Sequence, residues 1–594
     1  MTVESLITQH IDTWTSAVKT KSTTGRGSSK KLELYGVKKL RELILELAVR
    51  GKLVPQDPND EPASVLLERI AKEKAQLVKE KKIKKPKKLL EISEEEKGFA
   101  LPVGWEWSHL QDLTTYIQRG KGPKYAESGS VKVVSQKCVQ NSGFDLAPAR
   151  YVTDESLDAY QEERFLRDND ILWNSTGTGT VGRANVINDI PYQKIVADSH
   201  VTVIRLTNVY SRFLWCFIMA PGVQLRISPD NENALVSGST KQVELNTSSV
   251  ISLVVPVAPL AEQHRIVAKV DELMALCDQL EQQTEASIEA HQLLVSTLLN
   301  TLANSADVDE LMENWARISD HFDTLFTTEE SIDQLKQTIL QLAVMGKLVP
   351  QDPNDEPASV LLERIAEEKA QLIKEKKIKK QKALPPIADD EKPFDLPTGW
   401  EWCRTIDAGD IKLGRQRSPK DHSGPYMTPY LRVANVHDNR IDTTDVKEMN
   451  FTPEEQKTFS LEYGDILLNE GQSKELVGRP AMYRNEIPGA CFQNTLLRFK
   501  VWSGVNAEFS LLYFRHCLYS GRFQKAVKQT TNMAHLSAAR LIPIEFPLPP
   551  EKEQIRIVAK VEQLTGICNQ LNIRLRDFQT TQLHLTDAIV EQVV

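Results

Sequence analysis

Two short basic clusters in the sequence carry side chains suited to contacting a polyanion. The first lies at residues 119–124 and the second at residues 412–420. Their candidate contact residues are Lys121, Lys124, Arg415, Arg417 and Lys420. Ammonium and guanidinium groups pair with backbone phosphates, which makes each cluster a candidate nucleic-acid contact. The alternative is ordinary surface charge that keeps the protein soluble.

Amide, hydroxyl and further basic side chains follow in predicted loops. Amide and basic groups can pair bidentately with base edges, and hydroxyls suit phosphate oxygens. An ordinary turn residue is the competing interpretation of each one. The candidate DNA contacts of this kind are Gln136, Lys137, Ser175, Thr176, Ser239, Thr240 and Lys241 in the first half of the chain, and Asn435, His437, Gln472, Ser473, Lys474, Thr531 and Asn532 in the second.

No pattern typical of a catalytic, metal or cofactor site is present. Gly177-x-Gly179-x-x-Gly182 matches a dinucleotide fingerprint, but the residues after it favour a strand and a turn, and such a site needs a helix there. The sequence has no P-loop, no His-Glu-x-x-His and no Asn- or Asp-Pro-Pro-aromatic tetrad of amino-methyltransferases. We therefore predict no catalytic residues and no metal site, and we interpret residues 174–182 as a glycine-rich contact loop.

The elements that must position these side chains come from an internal repeat. Residues 51–85 recur as residues 346–380 with two differences. A second pair of similar blocks begins at Glu262 and at Glu553. Because the first pair of blocks is offset by 295 residues, and twice 295 is nearly the chain length, the protein consists of two copies of one unit.

The repeated blocks are predicted to be helical. Apolar residues recur at steps of four and three, which is the a/d pattern of a coiled coil. The predicted seam residues are Ile266, Val270, Leu273 and Leu280 in the first copy, and Ile557, Val561, Leu564 and Leu571 in the second. We predict that the two seams face each other in antiparallel helices. The alternative is an amphipathic helix on a globular core.

Two diverged inserts lie between the repeated blocks, at residues 108–258 and 403–549. Short apolar stretches at 168–173 and 463–469 predict strands before polar loops, and aromatic stretches at 209–219 predict a helix. The predicted fold class is therefore α+β. It comprises two similar strand-rich domains joined by long antiparallel coiled-coil helices, with a pseudo-twofold internal repeat.

A lysine-rich stretch follows the proline turn of each copy. Residues 72–88 contain nine Lys and two Glu. A solvated helix face and a phosphate-backbone contact are both possible interpretations.

Composition limits the class of protein. With 594 residues and a formal net charge of -8, the chain is not a globally basic nucleic-acid binder. No apolar run is long enough to cross a bilayer, and the N-terminus does not match a secretory signal. The seven cysteines are scattered, which predicts a reducing, cytoplasmic environment without disulfides.

The motifs at the insert boundaries are specific in combination. Leu-Pro-x-Gly-Trp-Glu-Trp precedes each insert, and the blocks Val257–Val267 and Pro547–Val558 close them. With two variable inserts between repeated helical segments, the chain resembles the DNA-specificity subunit of a type I restriction-modification system, which serves in phage defence. The resemblance covers nearly all of the chain.

This resemblance implies that each insert is a target-recognition domain reading one half of a split DNA site, with the helices setting the spacer. It implies a non-catalytic subunit that binds no cofactor itself. Two methyltransferase (modification) subunits would carry S-adenosylmethionine, and motor-nuclease (restriction) subunits would use ATP and Mg. Two alternatives from other classes are a coiled-coil scaffold without DNA contact and a DNA-modifying enzyme with its own active site.

The expected domains follow from the repeat and the resemblance. They are an N-terminal helical segment with a charged extension (1–107), target-recognition domain 1 (108–258), a central helical region (259–345), the repeated charged segment (346–402), target-recognition domain 2 (403–549) and a C-terminal helix (550–594). The long segments 51–100 and 346–395 extend a minimal member of the family, and docking of a partner subunit is one option for them.

Overall fold

The computed structural model describes residues 3–21, 31–158, 160–177, 179–190, 194–239, 242–306, 308–378, 380, 383–529 and 533–593. The chain divides into two compact units. Unit 1 comprises Met1–Ser287 and Phe578–Val594, and unit 2 comprises Ile288–Asp577. Among the described residues, no helix is both long and apolar enough to cross a membrane.

The helices of unit 1 frame its strand-rich domain. They are α1 (Val3–Gln9), α2 (Ile11–Ser16), α3 (Tyr35–Val49), α4 (Ala63–Lys79), α5 (Asp154–Leu157), α6 (Ser211–Met219), α7 (Pro221–Gln224), α8 (Thr247–Ile251) and the long α9 (Leu260–Ala303), whose last residues belong to unit 2. Helix α3 buries Leu40, Leu43 and Leu47, which lie on one helical face. It ends before Gly51, whose φ of 64° is typical of a C-terminal glycine cap.

The strands of unit 1 are short and form two four-stranded sheets with several hairpins. They are β1 (Lys19–Lys21), β2 (Lys31–Glu33), β3 (Glu106–His109), β4 (Thr114–Arg119), β5 (Tyr125–Ala126), β6 (Lys132–Val134), β7 (Val139–Gln140), β8 (Gly143–Phe144), β9 (Arg150–Val152), β10 (Ile171–Asn174), β11 (Ala184–Val186), β12 (Ile195–Ala197), β13 (Val201–Leu206), β14 (Val236–Ser239), β15 (Gln242–Leu245) and β16 (Val254–Val257). The sheet orders are β11-β10-β13-β4 and β12-β6-β9-β5. The antiparallel pair β3–β16 brings the two ends of the insert together.

Unit 2 repeats this arrangement of helices. They are α10 (Val308–Asp320), α11 (Phe322–Leu325), α12 (Glu329–Val344), α13 (Ala358–Lys374), α14 (Thr405–Ala408), α15 (Pro453–Phe459), α16 (Ala507–Tyr519), α17 (Arg522–Ala526), α18 (Ala538–Leu541) and the long α19 (Glu551–Val593), whose last residues belong to unit 1. The two long helices thus run between the units in opposite senses along the chain.

The strands of unit 2 match those of unit 1 in order. They are β17 (Glu401–Arg404), β18 (Gly409–Leu413), β19 (Met427–Leu431), β20 (Val436–His437), β21 (Arg440–Ile441), β22 (Lys447–Asn450), β23 (Ile466–Asn469), β24 (Gly471–Gln472), β25 (Pro480–Met482), β26 (Cys491–Phe492), β27 (Leu496–Val501), β28 (Lys528–Gln529), β29 (Ala534–His535) and β30 (Glu545–Leu548). The sheet β18-β27-β23-β25 has the same order as β4-β13-β10-β11. The predicted α+β class, with two similar strand-rich domains, an internal repeat and long joining helices, is confirmed.

Each predicted seam lies in its own unit. Ile557 and Val561 belong to the buried core of unit 2, which also contains Ile332, Leu335 and Ile339 of α12. In unit 1, Ile266 and Val270 are buried, and the guanidinium of Arg41 in α3 contacts Asp278 and Glu281 of α9 at 2.7 Å each. The packing of one seam against the other stays a prediction.

In each unit, the helix after the proline-rich segment contacts the start of the strand-rich domain that follows it. The buried ammonium of Lys74 in α4 donates to the carbonyl oxygens of Gln111 at 2.5 Å and Asp112 at 3.1 Å. In unit 2, the ammonium of Lys369 lies 2.9 Å from the carboxylate of Asp407. Both repeated segments are thus anchored to the domain that follows them in sequence.

Candidate nucleic-acid interface

Three loops of unit 1 meet at the end of strand β10. The backbone N–H of Ser175 donates to the carbonyl of His200 at 2.8 Å, and the N–H of Leu245 donates to the carbonyl of Ser175 at 2.8 Å. The hydroxyl oxygen of Thr176 lies 2.5 Å from His200 Nδ1. The backbone of Thr176 forms an antiparallel bridge with that of Glu244. The loop after β10, the loop before β13 and the β14–β15 hairpin therefore form one surface, which we name loop surface 1.

The glycine-rich loop is held in a defined shape on this surface. Gly177 has a φ of 108°, and a Cβ there would meet the side chain of Gln136 at 2.5 Å. The guanidinium of Arg183 donates to the carbonyl of Gly179 and to the side chain of Gln140, each at 2.6 Å. The glycines are therefore required by conformation and close approach. This agrees with a contact loop and gives no support to a dinucleotide site.

Basic side chains flank loop surface 1. The guanidinium of Arg119, at the end of β4, contacts the carboxylate of Glu244 and the carbonyl of Ser199. Lys121 is exposed, and Lys124 is exposed with its ammonium 3.6 Å from Glu155. Because an exposed ion pair at that distance is weak, both lysines are available to an anionic ligand.

Unit 2 builds the same backbone arrangement with different side chains. The N–H of Glu470 donates to the carbonyl of Thr495 at 2.9 Å, and the N–H of Leu536 donates to the carbonyl of Glu470 at 2.8 Å. His535 Nδ1 lies 3.3 Å from the Glu470 carboxylate. Glu470, Thr495 and His535 thus occupy the places that Ser175, His200 and Glu244 hold in unit 1. We name this cluster loop surface 2.

A cavity of about 560 Å³ lies beside loop surface 2. Its lining brings together two predicted residues, His437 and Lys474. Asp438, in the same wall, is held by the guanidinium of Arg515 at 2.8 and 2.7 Å and by the hydroxyl of Tyr519 at 2.6 Å. These contacts fix the wall, while Lys474 stays exposed and can reach a ligand.

Three predicted contact residues have side chains that are buried or paired inside the fold. Ser175 is fully buried, with its hydroxyl 2.6 Å from that of Thr202. Asn435 is buried and donates to the carbonyls of Asp442 at 2.9 Å and Asp445 at 3.1 Å.

Arg415 is the third. Its side chain is only 12% exposed, and its guanidinium pairs with Glu455 at 2.8 Å and Asp421 at 3.3 Å. Its charge is therefore already neutralised by two neighbouring carboxylates. The neighbouring Arg417 is exposed instead, with its Nε 3.1 Å from His422 Nε2.

The remaining predicted residues fall into three groups. Lys137 and Lys420 are exposed, and Gln136, Thr176, Gln472, Ser473 and His437 are half-buried. Thr240, Lys241, Thr531 and Asn532 lie outside the described residues, as does the side chain of Ser239.

Sequence reasoning missed the residues that organise the loop surfaces. The candidate contact residues did not include His200, His535, Arg183 or Glu244. The available signal was positional, since His200 directly precedes strand β13, and His535 ends the hairpin that corresponds to β14–β15. Across the described parts of the chain, no group of three or more His, Cys, Asp or Glu side chains is arranged to hold a metal ion.

The comparisons with known proteins agree on one family. The family described as "Type I restriction modification DNA specificity domain" matches residues 102–290 and 397–577. The chain is 42% identical to the type I restriction enzyme EcoEI specificity subunit of Escherichia coli over 100% of this chain and 99% of that protein. It is 41% identical to the EcoAI specificity subunit of Escherichia coli over 100% of both. The crystal structure of an HsdS subunit from Thermoanaerobacter tengcongensis covers 84% of this chain and 98% of its own, at 16% identity and a TM-score of 0.41.

Proposed function

Since the chain belongs to the family of type I restriction-modification DNA specificity subunits, we propose that each of its strand-rich domains reads one half of a split DNA site. The two target-recognition domains are assigned to residues 108–258 and 403–549. Loop surface 1 faces one half-site, and loop surface 2 faces the other.

One observation carries this proposal. The same backbone hydrogen bonds hold both loop surfaces, yet the side chains at equivalent places differ: His200 and Glu244 in unit 1 correspond to Thr495 and His535 in unit 2. Equal scaffolds with unequal side chains present different donor and acceptor patterns to base edges. The two half-sites should therefore have different sequences, and the whole site should be asymmetric.

The long helices set the spacer between the half-sites. Helix α9 begins in unit 1 and ends in unit 2, and α19 does the reverse. A helix is a stiff connection with a rise of about 1.5 Å per residue, whereas a flexible linker would allow many spacers. The distance between half-sites is therefore a property of these two helices.

The chain supplies recognition, and partner subunits supply the chemistry. Two methyltransferase subunits carry S-adenosylmethionine and methylate the DNA, and motor-nuclease subunits use ATP and Mg for translocation and cleavage. This assignment is supported by the family membership and by the absence of the common catalytic motifs from the sequence. Because its ligand is cellular DNA, the subunit acts in the cytoplasm.

The test combines purified chain, methyltransferase subunit and S-adenosylmethionine labelled in its methyl group. We expect methyl transfer to DNA only when both proteins are present, at one defined split sequence. Transfer by the chain alone, abolished by a point change in it, would show an active site of its own. Assembly without any effect on DNA methylation would instead favour a scaffold role.

A further inference from the structure

Residues 79–88 form an exposed basic segment whose charges the fold does not use; we name it the lysine segment. It contains seven lysines, all of them exposed. Lys82 pairs with Glu80 at 2.8 Å. The other lysines make no ion pair with any described residue; they are Lys79, Lys81, Lys84, Lys85, Lys87 and Lys88. The acidic turn that follows does not neutralise them, since Glu94 pairs with Lys97 and Glu96 with Ser93.

The backbone of the lysine segment is fixed at both ends. At its start, α4 packs through buried Leu66 and Ile70, and Lys74 is anchored to the domain base. At its end, the N–H of Lys87 donates to the Gln111 side chain at 3.1 Å, and that side chain donates back to the Lys87 carbonyl at 2.8 Å. The lysine segment therefore has a fixed backbone, and most of its ammonium groups make no ion pair with the described residues. It is a defined surface of the fold.

The second copy repeats this geometry. Lys81 and Lys376 both follow the end of their helix in the left-handed region, with φ of 57° and 58°. Lys377 pairs with Glu375 at 2.8 Å, as Lys82 does with Glu80. The start of the lysine segment therefore has the same backbone and the same ion pair in both units.

The composition of the segment favours a phosphate ligand over a protein. Protein interfaces are depleted in lysine and enriched in aromatic residues and arginine, and residues 79–88 contain neither aromatic residues nor arginine. Lysine is a point charge that reads no base pattern, and it contributes to DNA affinity by displacing counterions from phosphates. The lysine segment contacts Gln111, which lies just before strand β4, and Arg119 at the other end of β4 flanks loop surface 1. Strand β4 spans roughly 17 Å at about 3.3 Å per residue.

We propose that the lysine segment is a second, sequence-independent DNA contact that binds backbone phosphates outside the bases read by the loop surfaces. The proposal rests on the proposed function and extends it to a surface of the repeated frame. It gives the duplicated segments, 51–100 and 346–395, a role in holding DNA that is independent of which sequence is read.

The experiment compares two full-length triple variants with equal charge change. The test variant is Lys84→Gln, Lys85→Gln and Lys88→Gln. The control is Lys39→Gln, Lys97→Gln and Lys269→Gln, whose ammonium groups lie within 3.0 Å of carboxylates of Glu42, Glu94 and Glu272 and whose side chains are at most 32% exposed. Binding to random-sequence duplex DNA is measured for each purified complex over a range of about 50–200 mM salt, where phosphate contacts change affinity strongly.

We expect the slope of log affinity against log salt to decrease by about 0.9 for each contacting lysine removed in the test variant, and to stay near wild type in the control. The methylated sequence should be unchanged in both variants, which distinguishes this proposal from the proposed function. Equal slopes for the two variants would overturn the proposal. Wild-type DNA binding combined with loss of a co-purifying subunit would also overturn it, because the segment would then dock on a protein.

Discussion

The indole Nε1 of Trp105 donates a hydrogen bond to a carboxylate oxygen of Glu262 at 3.0 Å. Trp105 lies at the entry to the strand-rich domain, and Glu262 lies in the first turn of α9. The other carboxylate oxygen accepts from Gln56 Nε2 at 3.1 Å, and in unit 2 Gln351 donates to Glu553 at the same distance. One buried carboxylate thus joins the proline segment, the domain entry and the long helix.

Trp105→Phe should lower the free energy of unfolding by about 1–3 kcal/mol, because it leaves a buried carboxylate oxygen without its donor. Thermal unfolding of the variant measures this. The control is Trp107→Phe, since Trp107 makes an edge-on contact with Phe99 and its indole donates to no described residue. If both variants lost the same stability, the loss would come from ring size and not from the Glu262 bond.

The same carboxyl predicts a pH effect. Burial raises the pKa of Glu262 above its ordinary value, against lowering by hydrogen bonds from Gln56 and Trp105. An acid whose pKa is raised on folding contributes stability that is fully present below the unfolded value of about 4.3 and is lost as pH rises through the folded value. The unfolding free energy of wild type minus that of Glu262→Gln should therefore fall as the pH rises above about 4. A difference that rose with pH would contradict the assignment.

Arg415 and Arg417 should respond differently to the same substitution. Arg415→Gln removes a guanidinium bonded to Glu455 and Asp421, so it should cost about 2–3 kcal/mol of stability. Arg417→Gln should leave the melting temperature unchanged and weaken binding to all DNA sequences similarly, because a phosphate contact carries no base information. If Arg415→Gln kept the stability of the wild type and changed the recognised sequence, Arg415 would be a base contact and its structural assignment would be contradicted.

The long helices predict a length effect. Seven residues inserted into α9 after Ser287 and into α19 after Asp577 add about 10 Å and nearly two full turns, so the helix faces beyond the insertions keep their orientation. At ~3.4 Å per base pair, the recognised spacer should grow by about one to three base pairs. Sequencing of methylated DNA shows the spacer directly.

A five-residue insertion at the same places is the control for the length effect. It rotates the distal face by roughly 140° at about 100° per residue. It should therefore abolish methylation. An unchanged spacer with full activity after the seven-residue insertion would mean that the helices do not set the distance.

Much of the fold followed from the sequence because repetition and periodicity are local signals. The two copies and the strand-rich inserts were both predictable. The surroundings of the Ile557 seam were not, because an a/d pattern shows that a face is apolar and not which residues pack around it. In the structure Ile557 shares a buried core with Ile332 and Leu335 of α12, which lie more than two hundred positions earlier in the chain.

The sequence alone did not show which candidate side chains are buried in the fold. Arg415 and Arg417 are two positions apart and chemically alike, yet only Arg417 is exposed. What decides this is Glu455, forty residues away, which reaches Arg415 only after folding. Ser175 is buried for a similar reason, since its hydroxyl meets Thr202 on a neighbouring strand.

The central claim, that the two domains read separate half-sites, is tested most directly by a domain exchange. Residues 108–258 are replaced by the equivalent domain of a relative, and the methylated sequences of a host carrying the complex are determined. We expect one half of the site to change to that of the donor, while the other half and the spacer stay as in wild type. A simultaneous change in both halves, or a fully unchanged site, would contradict separate reading by the two domains.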